Sequence, residues 1–256
     1  MTIADDHDAF LFDLDGVLYR GDEPVPMAAA AVARLRDAGK RMAFVTNNSS
    51  RTPESVAAKL SSVGIPAGAH EVETSAMATA ELLGDRGTRT AFVVGEDGVR
   101  EALAGAGIAL VKANGHVPDV VVVGLDRAAD YAKLAAASRF VRDGAALVAT
   151  NADASYPAPE GLLPGAGALL AAITATTGAI PEVVGKPHAP LLRAALVRAG
   201  GGRPLVIGDR LDTDIEGAVA LRWHSLLVLT GVSTRSDLAA SPVAPTYVAD
   251  DLGALF

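Results

Sequence analysis

The 256-residue sequence contains no cysteine. That excludes disulfides, thiolate nucleophiles and cysteine-ligated zinc together. Aromatic residues make up only 4% of the chain, and 22 Lys and Arg are outnumbered by 30 Asp and Glu, for a net charge of −8. Nucleic acids and anionic membranes both require a basic footprint, so neither is an expected partner. No apolar run reaches the roughly 18 to 20 residues of a membrane-spanning helix. The opening MTIADDHDAF is acidic and polar, unlike a signal or transit peptide, and a cytoplasmic location is the expectation. No period of about 20 to 50 residues recurs, which argues against a solenoid.

What is present is the composition of a folded domain: 50% hydrophobic residues and 20% charged. The length allows one or two domains. Short apolar runs alternate with longer segments of helical period, which predicts an α/β protein with a parallel sheet. Residues 9–12 and 41–46 read as strands, and 27–38, 53–64 and 73–84 as helices, the last capped by Thr74 or Ser75. After a polar stretch at 85–90 a second series begins, with strands in 91–95, 118–125 and 146–150 and helices over 97–106 and 130–144. A Pro- and Gly-rich stretch at 151–167 is too long for an ordinary connection and reads as a functional loop. A helix at 168–177 and strands at 204–209 and within 225–231 follow.

Polar residues that terminate apolar runs carry the chemical information. FLF ends in Asp13, with Asp15 two residues on; RMAFV ends in Thr46 and Asn47; EVVG is followed by Lys186 and LVIG by Asp209. In a parallel sheet the strand C-termini share one edge, where open α/β folds bind ligands. Two acids as close as Asp13 and Asp15 repel and resist desolvation unless a cation offsets them. A phosphate ester would use every residue type in this set. One carboxylate can take the phosphoryl group, and a second can protonate the leaving alkoxide and then activate water. Thr and backbone amides can hold the non-bridging oxygens, while the lysine neutralises the transition state. Asp209 completes an all-oxygen site suited to Mg²⁺.

In chain order, DLDGVL (13–18), TNN (46–48), GKP (185–187) and GDRLDTD (208–214) resemble the four motifs of haloacid-dehalogenase-superfamily phosphatases. TNNSSRTP and an insertion between the second and third motifs are similar to the NagD-like branch, with its p-nitrophenyl, phosphoglycolate and glycerol-3-phosphate phosphatases. The resemblance covers essentially the whole chain. It implies a Rossmann-like, doubly wound parallel-sheet core (1–85 and 180–256) with an inserted α/β cap domain (86–179). It further implies that Asp13 is the nucleophile and Asp15 the general acid/base. Thr46, Asn47, Asn48 and Lys186 would bind the phosphoryl group. Asp13, the Asp15 carbonyl, Asp209 and Asp214 would form or support the Mg²⁺ site. Asn151, Asp153 and the 161–167 stretch would approach the substrate.

The expected partner is a small phosphorylated metabolite. Homodimers are frequent among such relatives, although no apolar stripe identifies an interface. Two alternatives stand beside hydrolysis: a phosphotransferase or mutase using the same aspartyl-phosphate, and a non-catalytic phosphometabolite-binding protein. His188 reads as a helix entry, and Asp212 has no role in the motifs.

Overall fold

The computed structural model describes residues 2–158 and 161–256. The chain divides into two compact units: Met1–Thr46, Pro53–Glu73 and Lys186–Phe256 form the first, and Asn47–Thr52 and Thr74–Gly185 the second. Among the described residues no helix is long and apolar enough to cross a membrane.

The first unit is built on a six-stranded sheet in the order 247–249, 224–228, 204–208, 9–12, 41–46, 72–74. The described registers of strand 9–12 with its two neighbours, and of the next two pairs outward, are parallel. The chain builds outward from 9–12 in one direction and then, after the second unit, in the other, which makes the sheet doubly wound. Ala9–Phe12 is buried at every position, as expected of a central parallel strand covered on both faces. Phe10 stacks on Phe12, and Phe12 leans on Phe44 of the adjacent strand. Leu14, Leu18, Leu35, Leu60, Ile207 and Leu226 complete this core.

The second unit carries a five-stranded parallel sheet in the order 182–183, 146–149, 120–123, 90–94, 109–110. Val120–Val123 is buried throughout, and Phe92 and Phe140 anchor the core on one face. The segment Asn47–Thr52 belongs here through polar anchoring. Ser49 is fully buried, and its hydroxyl lies 2.9 Å from Thr150 Oγ1 and accepts from Leu125 N–H. Gly98 N–H donates to Ser50 O.

The structure departs from the sequence reading in several places. The helix Ser75–Asp85 groups with the second unit rather than preceding an insertion at 86, because it packs along Asp97–Gly105 and buries an alanine-rich face. Thr74 is its cap, accepting from Met77 N–H. The strand before Lys186 does not join the first sheet: Glu182–Val183 pairs with Ala146–Ala149 and closes the edge of the second. The stretch read as a loop over 151–167 contains two antiparallel paired strands, Ser155–Ala158 and Gly161–Pro164; Pro159 and Glu160 lie outside the described residues. Finally, the sequence reading missed the edge strand Tyr247–Ala249 and gave no extent for the helix that His188 enters, Ala189–Arg198.

Candidate active site

Asp13 is the first residue beyond the buried strand Ala9–Phe12, and its N–H donates to Ile207 O at 2.8 Å. That bond keeps its backbone in register with the neighbouring strand Pro204–Gly208, which delivers Asp209 one residue past its end. Strand order reverses between these two strands, the location where open α/β sheets form a crevice. The turn Leu211–Ile215 is π-helical, a local widening frequent at functional sites. It folds Asp214 back against Gly208, where any Cβ would collide with the Asp214 side chain.

Lys186 opens the returning segment of this unit and is 4% exposed. Its ammonium contacts Asp13 and lies 2.6 Å from Asp214 Oδ1. The other Asp214 oxygen accepts from Arg210 N–H at 3.1 Å. Asp209 Oδ2 accepts from Val232 N–H at 2.6 Å, whereas Oδ1 is buried with no hydrogen-bond partner among the described residues. Asp212 turns outward and pairs with Arg210, in keeping with its lack of a motif role.

The electrostatics follow from burial. Desolvation pushes the Asp13 carboxyl well above its ordinary value; Lys186 opposes this, and Asp214 and Asp209 reinforce it. Desolvation and then the Asp214 charge push Asp209 up to about 6. For Lys186 burial acts against the charge, but Asp13 and Asp214 outweigh it and hold the ammonium above its usual range. Three carboxylates therefore share one ammonium, and positive charge is short.

A hard cation fits that deficit. Oxygens of Asp13, Asp209 and Asp214 lie within 4.8 Å of one another, and the orphaned Oδ1 of Asp209 is a buried acceptor with nothing to accept from. An all-carboxylate donor set suits Mg²⁺. Since Asp214 already serves Lys186 and Arg210, its part is to hold the lysine as much as to face a metal.

The remaining expected residues divide between the units. Asp15 stays outside the carboxylate cluster, with an exposed side chain and a bridge to Tyr19. Thr46, buried, ends strand Arg41–Thr46. Asn47 and Asn48 belong to the second unit. There Asn151 Nδ2 and Ser75 Oγ both donate to Asn47 O, at 2.7 and 2.6 Å, and Asn47 Nδ2 donates to Asp153 at 3.3 Å. Asn48 Oδ1 accepts from Ser50 N–H and Oγ in a local turn. His188 is the N-cap residue of the helix Ala189–Arg198, as expected of a helix entry. Sequence reasoning missed Val232 and its neighbours; the one signal was a glycine, Gly231, soon after an apolar strand.

A family model described as haloacid dehalogenase-like hydrolase matches residues 10–109, and a second, described as HAD-hydrolase-like, matches 183–255. The D-glycerol 3-phosphate phosphatase of Mycobacterium tuberculosis is 41% identical over 259 residues, covering 99% of this chain and 72% of that protein. The chain belongs to the haloacid dehalogenase-like hydrolase family. Another relative, a 5′-nucleotidase of Bacillus subtilis, is 39% identical over 246 residues, with 95% of each chain covered. Among solved structures, the glycerol phosphate phosphatase of Mycobacterium tuberculosis in complex with magnesium superposes with a TM-score of 0.94 at 40% identity, covering all of this chain and 78% of the other. The two Mycobacterium tuberculosis matches are named as phosphatases, and they fit the branch that the motifs implied.

Proposed function

We propose that this protein is a Mg²⁺-dependent phosphatase of small phosphate monoesters that works through an aspartyl-phosphate on Asp13. One observation carries the reading. Lys186 bridges Asp13 and Asp214 beside an Asp209 oxygen that is buried and unpartnered. An unsatisfied buried acceptor is costly, and a cation bound beside it would remove that cost.

Asp13 is the most accessible of the three clustered carboxylates, its side chain 14% exposed against 1% for Asp214. It is therefore the one a substrate can reach. An Asp13 oxygen attacks phosphorus, the bond to the ester oxygen breaks, and that oxygen leaves with the electron pair and takes a proton from the Asp15 carboxyl. Asp15, now a carboxylate, removes a proton from water as the water attacks phosphorus. The bond from phosphorus to Asp13 breaks, and inorganic phosphate leaves. Asp15 is suited to both transfers because its side chain is exposed. Lys186 offsets the charge on the phosphoryl oxygens, and Thr46, Asn47 and Asn48 donate to them. Asp13, Asp209 and the Asp15 carbonyl would hold Mg²⁺, with Asp214 behind them, and the ion would supply further positive charge there.

Glycerol 3-phosphate and phosphoglycolate rank first as substrates, followed by sugar phosphates and nucleoside monophosphates. A glycerol 3-phosphate phosphatase and a 5′-nucleotidase among the relatives support that range. The test is phosphate release from this panel and from p-nitrophenyl phosphate with Mg²⁺, beside Asp13→Asn and a chelator. The expected result is release from a few compounds, lost in both controls. Acid-quenched reactions with labelled substrate should leave hydroxylamine-sensitive label on the protein. Folded protein that releases no phosphate from any compound refutes hydrolysis, and transfer to an added alcohol exceeding release would mark a phosphotransferase.

A further inference from the structure

Asp209 is gripped by a segment outside the four motifs, the residues that follow strand His224–Val228. Val232 N–H donates to Asp209 Oδ2 at 2.6 Å and Ser233 N–H to its backbone carbonyl at 3.0 Å. Ser233 Oγ accepts from Leu211 N–H at 3.1 Å, which fixes the chain on the far side of Asp209. The same segment reaches the turn after the nucleophile: Thr230 Oγ1 donates to Gly16 O at 2.6 Å.

Two glycines show how tight the fit is. A Cβ on Gly231 would fall within the Asp209 carboxylate. Gly231 is not among the residues with positive φ, so its backbone would accept any side chain, and only space demands glycine. Gly16 is constrained twice, by a φ of +83° and by Asp209 Oδ2, which would stand 2.5 Å from a Cβ.

We propose that Thr230–Ser233 is a positioning element of the cation site and that Gly231 is a determinant of metal selectivity. The inference rests on the Mg²⁺ site proposed above. A carboxylate free to turn can offer both oxygens, which suits Ca²⁺ with its six to eight flexible oxygen ligands. Mg²⁺ demands near-octahedral geometry and takes single oxygens. With Oδ2 committed to Val232 N–H, Asp209 presents Oδ1 alone. Gly231 lets the backbone lie close enough for that bond to form, and Thr230 ties the same backbone to Gly16, beside Asp15. The loop acts through Asp209 and does not itself touch substrate.

The test is calorimetric titration of the metal-free protein with Mg²⁺ and with Ca²⁺, for the wild type, Gly231→Ala and Val232→Pro. Both variants are expected to weaken Mg²⁺ binding about 10- to 100-fold, the usual effect of losing a group that orients a ligand. Ca²⁺ should weaken less, so the ratio of Ca²⁺ to Mg²⁺ affinity rises; a general loosening of the fold would depress both alike. Circular dichroism of the metal-free variants checks that they are folded. If either is not, a wild-type crystal grown with Mg²⁺ decides: Asp209 should coordinate through Oδ1 only, with Oδ2 still on Val232 N–H. Bidentate Asp209, or variants matching the wild type in both affinities, overturns the loop's role. A wild type that binds no Mg²⁺ at all overturns the cation site as well, and that failure is visible before any variant is compared.

Discussion

The Lys186 ammonium and the Asp214 carboxylate form an ion pair at 2.6 Å in which both side chains are almost wholly buried, and the same ammonium also holds Asp13. Removing one partner of such a pair is far more damaging than removing both, because the surviving charge is left without compensation. Lys186→Met should therefore cost about 3–5 kcal/mol in the metal-free protein, measured by urea unfolding. Turnover should fall by at least about 10²–10³-fold, as for loss of a preorganised charge on a transition state. Lys186→Arg should not restore it, since a planar fork cannot stand as a point charge between two carboxylates. A Lys186→Met enzyme with wild-type stability and turnover would contradict this account.

Much of that cluster is legible in the chain because a charge that ends an apolar run has only one place to go. Asp13 and Asp209 close strands buried throughout their final residues, so both emerge at the same sheet edge. Lys186 is different: it follows an apolar run that belongs to the other sheet, and the sequence does not say which sheet a two-residue strand will join. The unit boundary near 73 was hidden for a related reason. The helix Ser75–Asp85 has the same amphipathic pattern whichever partner it packs against, and only the tertiary contact with Asp97–Gly105 assigns it. The grip of Val232 on the Asp209 carboxylate comes from a backbone N–H, and a backbone donor leaves almost no trace in residue type except the neighbouring Gly231.

Asn151 and Ser75 both donate to the carbonyl of Asn47, and Asp153 accepts from its amide, so Asn47 is held at both ends. If Asn47 binds the phosphoryl group, Asn151→Ala should act through it. A lost hydrogen bond of about 1 kcal/mol corresponds to roughly a fivefold rise in KM, with kcat changed less. Inhibition by inorganic phosphate should weaken by a similar factor, a readout that a merely structural role would not move. An unchanged KM and phosphate inhibition constant would remove Asn151 from the binding network.

Far from the site, two histidines 217 positions apart meet: His7 Nε2 lies 2.9 Å from His224 Nδ1, and His7 Nδ1 lies 2.9 Å from Ile3 O. A carbonyl only accepts, so His7 carries a proton on Nδ1, and with His7 neutral its Nε2 accepts from His224 Nδ1–H. That pairing requires His7 to be neutral. Burial, reinforced by the nearby His224, lowers the His7 pKa below its ordinary 6.5 even though the Ile3 carbonyl pulls the other way. With the folded value below the unfolded one, the unfolded chain binds the proton more readily. Stability is therefore complete above pH 6.5 and is lost as pH falls through the window beneath it. The expected outcome is a urea midpoint that drops between pH 7.5 and 5.5 by more in the wild type than in His7→Gln, whose amide does not titrate. Carboxylates that titrate over the same range are common to both proteins and cancel in the difference. Equal slopes for the two would mean that the pair tolerates a second proton, and that the neutral tautomer assigned to His7 is wrong.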